Sequence, residues 1–472
     1  MSLSANTRVA LIFCAFISLL LWLFLPYPWM WFVRYVDSVP PVSYDGRIQF
    51  NLDNLKKPKN ETEIVNIVKD AYQSRRKIRV LADGHSWSQI AQTQDIMISL
   101  VDYAGIVEYD RKALTVTVRA GTPLHQISTD LDKMGLAMMN LGSVAGQSVA
   151  GAISTGTHGT GLTVGNLAEN VLSLRIVTGN DGQVLTLSAN DNNTDLFKAA
   201  QVSIGMFGVI SEVTLKVQKK FKLKEIRTHH KLNYCLDHMD SLVKGDHKYV
   251  KMWVEFNNNF CVLYQTSETD EEITRIPTLE GFLIYYSFAI QTRITYLLPF
   301  LTPLMMHFVN IIGFGCDTVR VDKSYNIFND FFHLPVHQEG EVVVPYSHAA
   351  EAVRAIESEV LIHQHPVNYM TEVRFVKGDD IWLSPEYGTV PGTCAITLTM
   401  YAPESTALQY FNAVYDVMKG FNARFHWGKH FKHGAREIEQ LYPKYWEFKT
   451  LRAKMDPKNI FVNKFLDEKF EI

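Results

Sequence analysis

An uncharged apolar run from Val9 to Leu25 (VALIFCAFISLLLWLFL) lies near the start of the chain. Pro26, Tyr27, Pro28, the aromatics Trp29 and Trp31, and then Arg34 follow it. The run is at the short end for a membrane-spanning helix, and its aromatic flank suits a headgroup layer. The pattern predicts a hydrophobic N-terminal helix acting as a membrane anchor. The alternative is a cleaved signal peptide, but no small-x-small site follows the run. Arg8 and Arg34 flank it almost evenly and leave its orientation open. Periodic segments begin further on. Asn60 and Glu63 have capping-box spacing, and Ile64, Ile67, Val68 and Ala71 form the apolar stripe of a helix ending in Arg75, Arg76 and Lys77. Short strands are expected at 78–81, 96–100 and 114–119, followed by a helix capped by Thr122 and stopped by Gly135. Strands at 172–177, 184–187 and 210–217 complete a glycine-punctuated α+β region.

From about residue 223 the texture changes. Alternating stretches at 251–256 and 394–400 mix with helical patterns at 349–361 and 405–419, which reads as a second α+β unit on an antiparallel sheet. A second apolar region, 281–315, is interrupted by Arg293, His307, Pro299 and Pro303. It fits a monotopic membrane patch or the wall of a substrate cavity better than a clean span. The chain therefore divides into an anchor and linker (1–44), a glycine-rich domain (45–222), a second domain (223–420) and an aromatic- and histidine-dense C-terminal segment (421–472).

Composition narrows the function by exclusion. A net charge of -3 over 472 residues gives no basic excess for nucleic acid. The cysteines Cys14, Cys235, Cys261, Cys316 and Cys394 show no CxxC spacing, so neither a metal site nor a disulfide scaffold is expected. Glycosylation sequons at Asn60 and Asn192 matter only if those segments face a secretory lumen.

The candidate chemistry lies in two glycine-rich stretches, ADGHSWS at 82–88 and LGSVAGQSVAGAISTGTHGTG at 141–161. Neither fits the usual dinucleotide fingerprint, because no GxGxxG follows a strand and opens a helix. In the first, a strand runs straight into Asp83, Gly84, His85, Ser86 and Trp87, and the amides of such a turn suit a pyrophosphate without any lysine. The second sets Gly142, Gly151 and Gly159 among the hydroxyls Ser143, Ser148, Ser154 and Thr157, next to His158. The residues between its glycines are unusually apolar for a solvent loop, so close backbone approach to a bulky cofactor is expected. Taken singly, His85 and His158 are no more than hydrogen-bonded structural histidines.

Six segments in order give these residues a context: GHSWS at 84–88, the 141–161 stretch, FGVISEVTL at 207–215 with Val209, TEVRFVKGDDIWLSP at 371–385, FHWGKHF at 425–431 and DPKNIFVNKFL at 456–466. Together they resemble the FAD flavoproteins of the vanillyl-alcohol oxidase (PCMH) type, and more narrowly the L-gulonolactone and aldonolactone oxidases. The resemblance covers nearly all of the chain past residue 45. It implies an FAD-binding domain of two subdomains, with the dinucleotide extended between two small sheets, and an α+β cap over the isoalloxazine. It also implies that His85 is joined covalently to the flavin 8α-methyl.

In the resembling enzymes an E-x-R pair and a C-terminal lysine stand at the substrate face, and those positions here are Glu372, Arg374 and Lys429. Strand periodicity independently puts Glu372 and Arg374 on one side. The resembling alditol oxidases have a histidine where Thr397 stands, which favours a lactone over a polyol. Related plant dehydrogenases carry alanine before the serine. Gly142 leaves the flavin open, with molecular oxygen as acceptor and Ser143 near N5. The implied reaction is oxidation of the C2 hydroxyl of a sugar-1,4-lactone, giving hydrogen peroxide and an ascorbate-type product. An alditol or polyol oxidase, and a dehydrogenase using a quinone or cytochrome, are the alternatives. With the anchor, the expected location is the endoplasmic reticulum or another endomembrane.

Overall fold

The computed structural model describes residues 42–190, 194–274, 278–329 and 336–472, without the side chains of 278–283. The expected anchor at 9–25 and the Asn192 sequon lie outside the described residues. No helix among the described residues is long and apolar enough to cross a membrane.

The glycine-rich region is built on two small sheets. One is parallel, in the order Leu55–Lys56, Ile96–Ile98, Ile78–Val80. The other has five antiparallel strands, in the order Ile106–Asp110, Thr115–Arg119, Gly208–Lys216, Val171–Thr178, Val184–Ser188. The helix Glu61–Ser74 forms as its pattern predicts, burying Ile64, Val68 and Ala71. Asn60 accepts from the Glu63 amide at 3.0 Å, but the reciprocal carboxylate bond goes to Lys59 N at 2.8 Å rather than to the cap's own amide. Thr122 is not the cap of the next helix. Pro123 holds that position before Leu124–Lys133, and the Thr122 hydroxyl instead takes the Gly105 amide at 2.9 Å and donates to Arg119 O at 2.6 Å.

Buried Arg79 ties this region to the C-terminus by donating to the carbonyls of Ile90, Ile204, Gly205 and Phe461. Distributing the guanidinium protons over four carbonyls satisfies a cation that burial would otherwise penalise. Asn463 caps the last helix, Lys464–Phe470, and its amide reaches Gln89 O and Gln92 O, so the 456–470 segment returns to the first glycine stretch.

The second half is organised by one antiparallel sheet of eight strands. Their order is Thr318–Lys323, Lys222–Lys231, Phe260–Thr269, Tyr249–Glu255, Thr371–Lys377, Gly392–Met400, Gln338–Pro345, Arg424–Phe425. Alternation gives each face a separate partner. Val342, Val344, Val373, Phe375, Ile396 and Leu398 form one face, in a core with Val353, Ile356, Val360, Phe411 and Val414 of the helices Ala349–His363 and Glu404–Met418. The opposite face carries the polar residues described below. Cys235 and Cys261, which no motif spacing linked, meet as a buried disulfide between a short helix and a strand.

The apolar region 281–315 folds as a helical hairpin, Thr278–Leu297 and Thr302–Phe314, joined through Pro299–Leu301. One side packs Phe288, Met306, Val309 and Phe314 against Trp253, Tyr264 and Tyr369 of the sheet region.

Candidate active site

The strand Ile78–Val80 delivers the chain into the first glycine turn, where Gly84 has φ +67°, a left-handed conformation that disfavours any side chain. The turn is braced from the far end of the sequence. Trp87 N donates to Gly428 O at 2.7 Å, the Ser88 hydroxyl donates to Trp427 O at 2.8 Å, and the Trp87 indole donates to His337 O at 3.0 Å. His85 stacks on Tyr44, and a Cβ added at Gly146 would stand 3.2 Å from its Nε2. The second stretch therefore passes close against the histidine ring at Gly146.

Between the two small sheets lies a cavity of about 310 Å³. Asp83, Gly84, His85, Ser86, Ser148, Gly151 and Ser154 line it, as the sequence predicts for a cofactor site. Sequence reasoning missed Arg79, Gly121, Gln126, Gln147, Gly205 and Gly208, which line it too. The buried Oε1 of Gln147 has no protein hydrogen-bond partner and belongs to this lining. A mainly neutral wall of hydroxyls, amides and glycine backbone fits an extended dinucleotide.

The other predicted cofactor residues are placed differently. Ser143 and Gly159 line a smaller cleft with Leu141, Glu225, Lys251, Thr266, Glu372 and Arg374. Trp87, Gly142, Thr157, His158 and Val209 are not in the wall of the large cavity. Val209 is buried in the core, between the lining residues Gly208 and Ile210. His158 points toward the eight-stranded sheet, where its Nε2 meets Glu341.

On that sheet, register makes a row across four strands: Trp253 opposite Glu372, Glu372 opposite Thr397, Thr397 opposite Glu341. Lys251 and Arg374 form the next rung. The expected pairing of Glu372 with Arg374 is present at 3.3 Å, in the interior rather than at the surface. Glu341 is the hub. Fully buried, it accepts from Arg374 Nη2 at 2.7 Å, Thr397 Oγ1 at 2.8 Å and Lys429 Nζ at 3.1 Å, and it meets His158 Nε2 at 3.0 Å. Lys429 Nζ also lies 2.7 Å from Glu339, which His337 contacts at 2.9 Å. Lys251 stands 3.5 Å from Glu372, and the Trp253 indole donates to the same carboxylate at 3.1 Å. Arg374 Nη1 donates to His158 O at 3.1 Å, and Gly161 N to Phe375 O at 2.6 Å, so the charged face is bonded to the second glycine stretch.

Three cations (Lys251, Arg374, Lys429) thus balance three carboxylates (Glu339, Glu341, Glu372). Burial alone would raise every one of these carboxyl pKa values. Lys429 and His337 nevertheless hold Glu339 down to about 2, and Lys429, His158 and Arg374 hold Glu341 well below its usual range. For Glu372, Arg374 and Lys251 outweigh burial and keep its pKa lowered. Burial would neutralise Lys429, but Glu339 and Glu341 raise its pKa. Burial pushes His426 down to about 3, leaving a neutral ring. The result is a largely buried, fixed set of charges, of which Lys251, Glu372 and Arg374 line the smaller cleft beside Ser143 and Gly159, able to hold a polar substrate and to stabilise charge that develops on it.

Comparison with known proteins gives this arrangement a class. Residues 53–188 match the FAD binding domain family, and residues 213–469 match the D-arabinono-1,4-lactone oxidase family. The fold is that of cholesterol oxidase from B. sterolicum, with a TM-score of 0.74 at 16% identity over 91% of this chain and 96% of that one. The protein is a flavoprotein with an FAD-binding domain of the vanillyl-alcohol oxidase type. L-gulonolactone oxidase of Mus musculus is 32% identical over 88% of this chain and 94% of its own. L-gulono-1,4-lactone dehydrogenase of Mycobacterium tuberculosis (strain ATCC 25618 / H37Rv) is 30% identical over 87% and 94%. D-arabinono-1,4-lactone oxidase of Candida glabrata is 26% identical over 86% and 91%. The chain belongs to the aldonolactone oxidase family.

Proposed function

We propose that this protein oxidises the C2 hydroxyl of a sugar-1,4-lactone of the L-gulono-1,4-lactone type. With oxygen as final acceptor, the products are the 2-keto lactone, which enolises to an ascorbate-type compound, and hydrogen peroxide. The observation that carries the reading is the largely buried, charge-balanced face of Glu339, Glu341, Glu372, Lys251, Arg374 and Lys429, bonded through His158 to the second glycine stretch. Bound FAD would supply the two-electron acceptor for the C2–H bond.

The residues of the chain do the rest. Asp83 to Ser86, Ser148, Gly151 and Ser154 would hold the dinucleotide, with His85 as the covalent attachment point, its ring in the cavity wall. The lactone would occupy the cleft beside Ser143 and Gly159, its polar edge held by Glu372 and Arg374. Lys429, as the ammonium, would stand at the C2 hydroxyl oxygen and stabilise its alkoxide character as the hydroxyl proton passes to solvent water. Pairing of both cations with fixed carboxylates means that they need no reorganisation as that charge appears.

Gly142 supports oxygen as acceptor. A methyl group there would stand 3.2 Å from His158 O and 3.4 Å from the Thr157 methyl, a tight contact against the same glycine stretch. Dehydrogenase activity is the second reading, favoured by the relative of that name from Mycobacterium tuberculosis. The run at 9–25 is proposed as an anchor to an endomembrane.

The test is turnover of the purified protein with L-gulono-, L-galactono- and D-arabinono-1,4-lactones beside xylitol and sorbitol, following peroxide and dye reduction separately. Lactone turnover with peroxide supports the proposal. Dye reduction without peroxide selects the dehydrogenase, and polyol turnover alone overturns the lactone assignment.

A further inference from the structure

The helical hairpin uses only one side against the body of the protein. On its other side Leu297, Phe300, Leu304, Phe308, Ile311 and Ile312 are 49–76% exposed. Phe300, Leu304, Phe308 and Ile311 recur at helical spacing, so they line one face of Thr302–Phe314 and continue onto the turn at Pro299–Leu301. Between residues 284 and 315 the only basic side chains are Arg293, which is buried, and His307; there is no lysine, aspartate or glutamate. Elsewhere in the described structure, large exposed apolar side chains are mostly scattered singly. A contiguous uncharged stripe of this size marks a contact surface.

We propose that this stripe docks on a lipid bilayer, with the Pro299–Leu301 turn entering the acyl region. Composition distinguishes this occupant from a protein. Protein interfaces carry a polar rim and roughly one hydrogen bond per 100–200 Å², whereas this stripe is aliphatic and phenyl apart from the exposed His307 ring and the Tyr296 hydroxyl. The chain outside the described residues argues the same way. The apolar run 9–25 precedes them, and the stretch 26–41 spans at most about 55 Å when extended. A run seated in a bilayer therefore keeps the folded body close to that bilayer. The stripe then makes a second, monotopic contact beside the anchor. The proposal takes from the anchor reading only this nearness and owes nothing to the lactone chemistry.

The experiment is photo-cross-linking in the full chain mixed with phosphatidylcholine vesicles. Benzoylphenylalanine replaces Phe300, or as a control Tyr109, which is 45% exposed on a strand of the five-stranded sheet. An unchanged melting temperature verifies the fold of each variant. The expected result is at least about ten-fold more lipid adduct from position 300 than from position 109. Adducts from position 300 to residues 1–41, adducts to a second copy of the chain, or equal lipid yields at both positions would overturn the proposal. Release of the chain by an alkaline carbonate wash counts against the anchor alone. The adduct ratio, read before the wash, decides the stripe either way.

Discussion

Glu341→Gln removes one charge and almost no volume from the buried cluster. Cations and carboxylates balance three to three in the native site, so the variant is left with one uncompensated positive charge. Glu341 is fully buried, and solvent screening offers little relief. Breaking a buried ion pair on one side typically costs about 3–5 kcal/mol. Unfolding entropy of about 2.1 cal/mol/K per residue amounts to about 1 kcal/mol/K for 472 residues, so Tm is expected to fall by roughly 3–5 °C. Lys429 keeps Glu339 at 2.7 Å but loses the carboxylate at 3.1 Å. Its ammonium form is therefore less favoured and its pKa falls. The high-pH limb of kcat/KM should move to lower pH by at least about one unit, a change of about 1.4 kcal/mol in Lys429 protonation. Loss of a fixed donor arrangement at the reacting oxygen should also reduce kcat by about 100-fold. Differential scanning fluorimetry and peroxide release measured across the pH range test both parts. A Tm within about 1 °C of the parent, together with an unmoved high-pH limb, would refute the claim that the six charges act as one balanced unit.

Gly142→Ala should cut peroxide release at least about ten-fold while dye reduction by the same lactone persists; equal loss of both rates would show that the methyl disturbs the glycine stretch itself. His85→Ala should convert flavin that survives acid precipitation into flavin that is released, and parent protein that already releases all its flavin on acid treatment would remove His85 from that role. Asp379, buried beside Glu386, has its pKa raised by that burial and by the neighbouring carboxylate to about 8, while Asn166 donates to both carboxyls at 2.9 Å. A raised folded-state pKa gives stability that is complete below the unfolded value near 4 and is lost as pH rises toward 8. Asp379→Asn should therefore flatten the fall in Tm between about pH 4 and 8, and an unchanged slope in the variant would show that another group is responsible.

The glycine stretches were legible because their requirement is local. Gly84 takes its positive φ from the turn itself, and a Cβ at Gly146 would crowd the His85 ring at 3.2 Å. Glu372 and Arg374 were legible because period 2 places both on one face of a strand. Glu339 and Glu341 have the same spacing, yet they went unread. Charge alternating with apolar residues in QEGEVVV also describes an ordinary surface strand with one wet face. Thr122 illustrates the reverse error, since a residue suited to capping is claimed instead by the Gly105 amide and Arg119 carbonyl. What makes Glu341 interior is its neighbour across the ladder, Thr397, and the second glycine stretch lying over that face. These partners come from sequence separations of 56 and 183 residues. Local pattern cannot encode them, and the same holds for the disulfide between Cys235 and Cys261. The distinguishing feature of a buried charged strand is therefore not its own alternation. It is the presence, on the same face of that strand and its neighbours, of opposite charges offset by about one rung, here Lys251 and Arg374 beside Glu372 and Glu341. A strand whose carboxylates find no such counterions would have to turn that face to water, because the desolvation cost would otherwise go unmet.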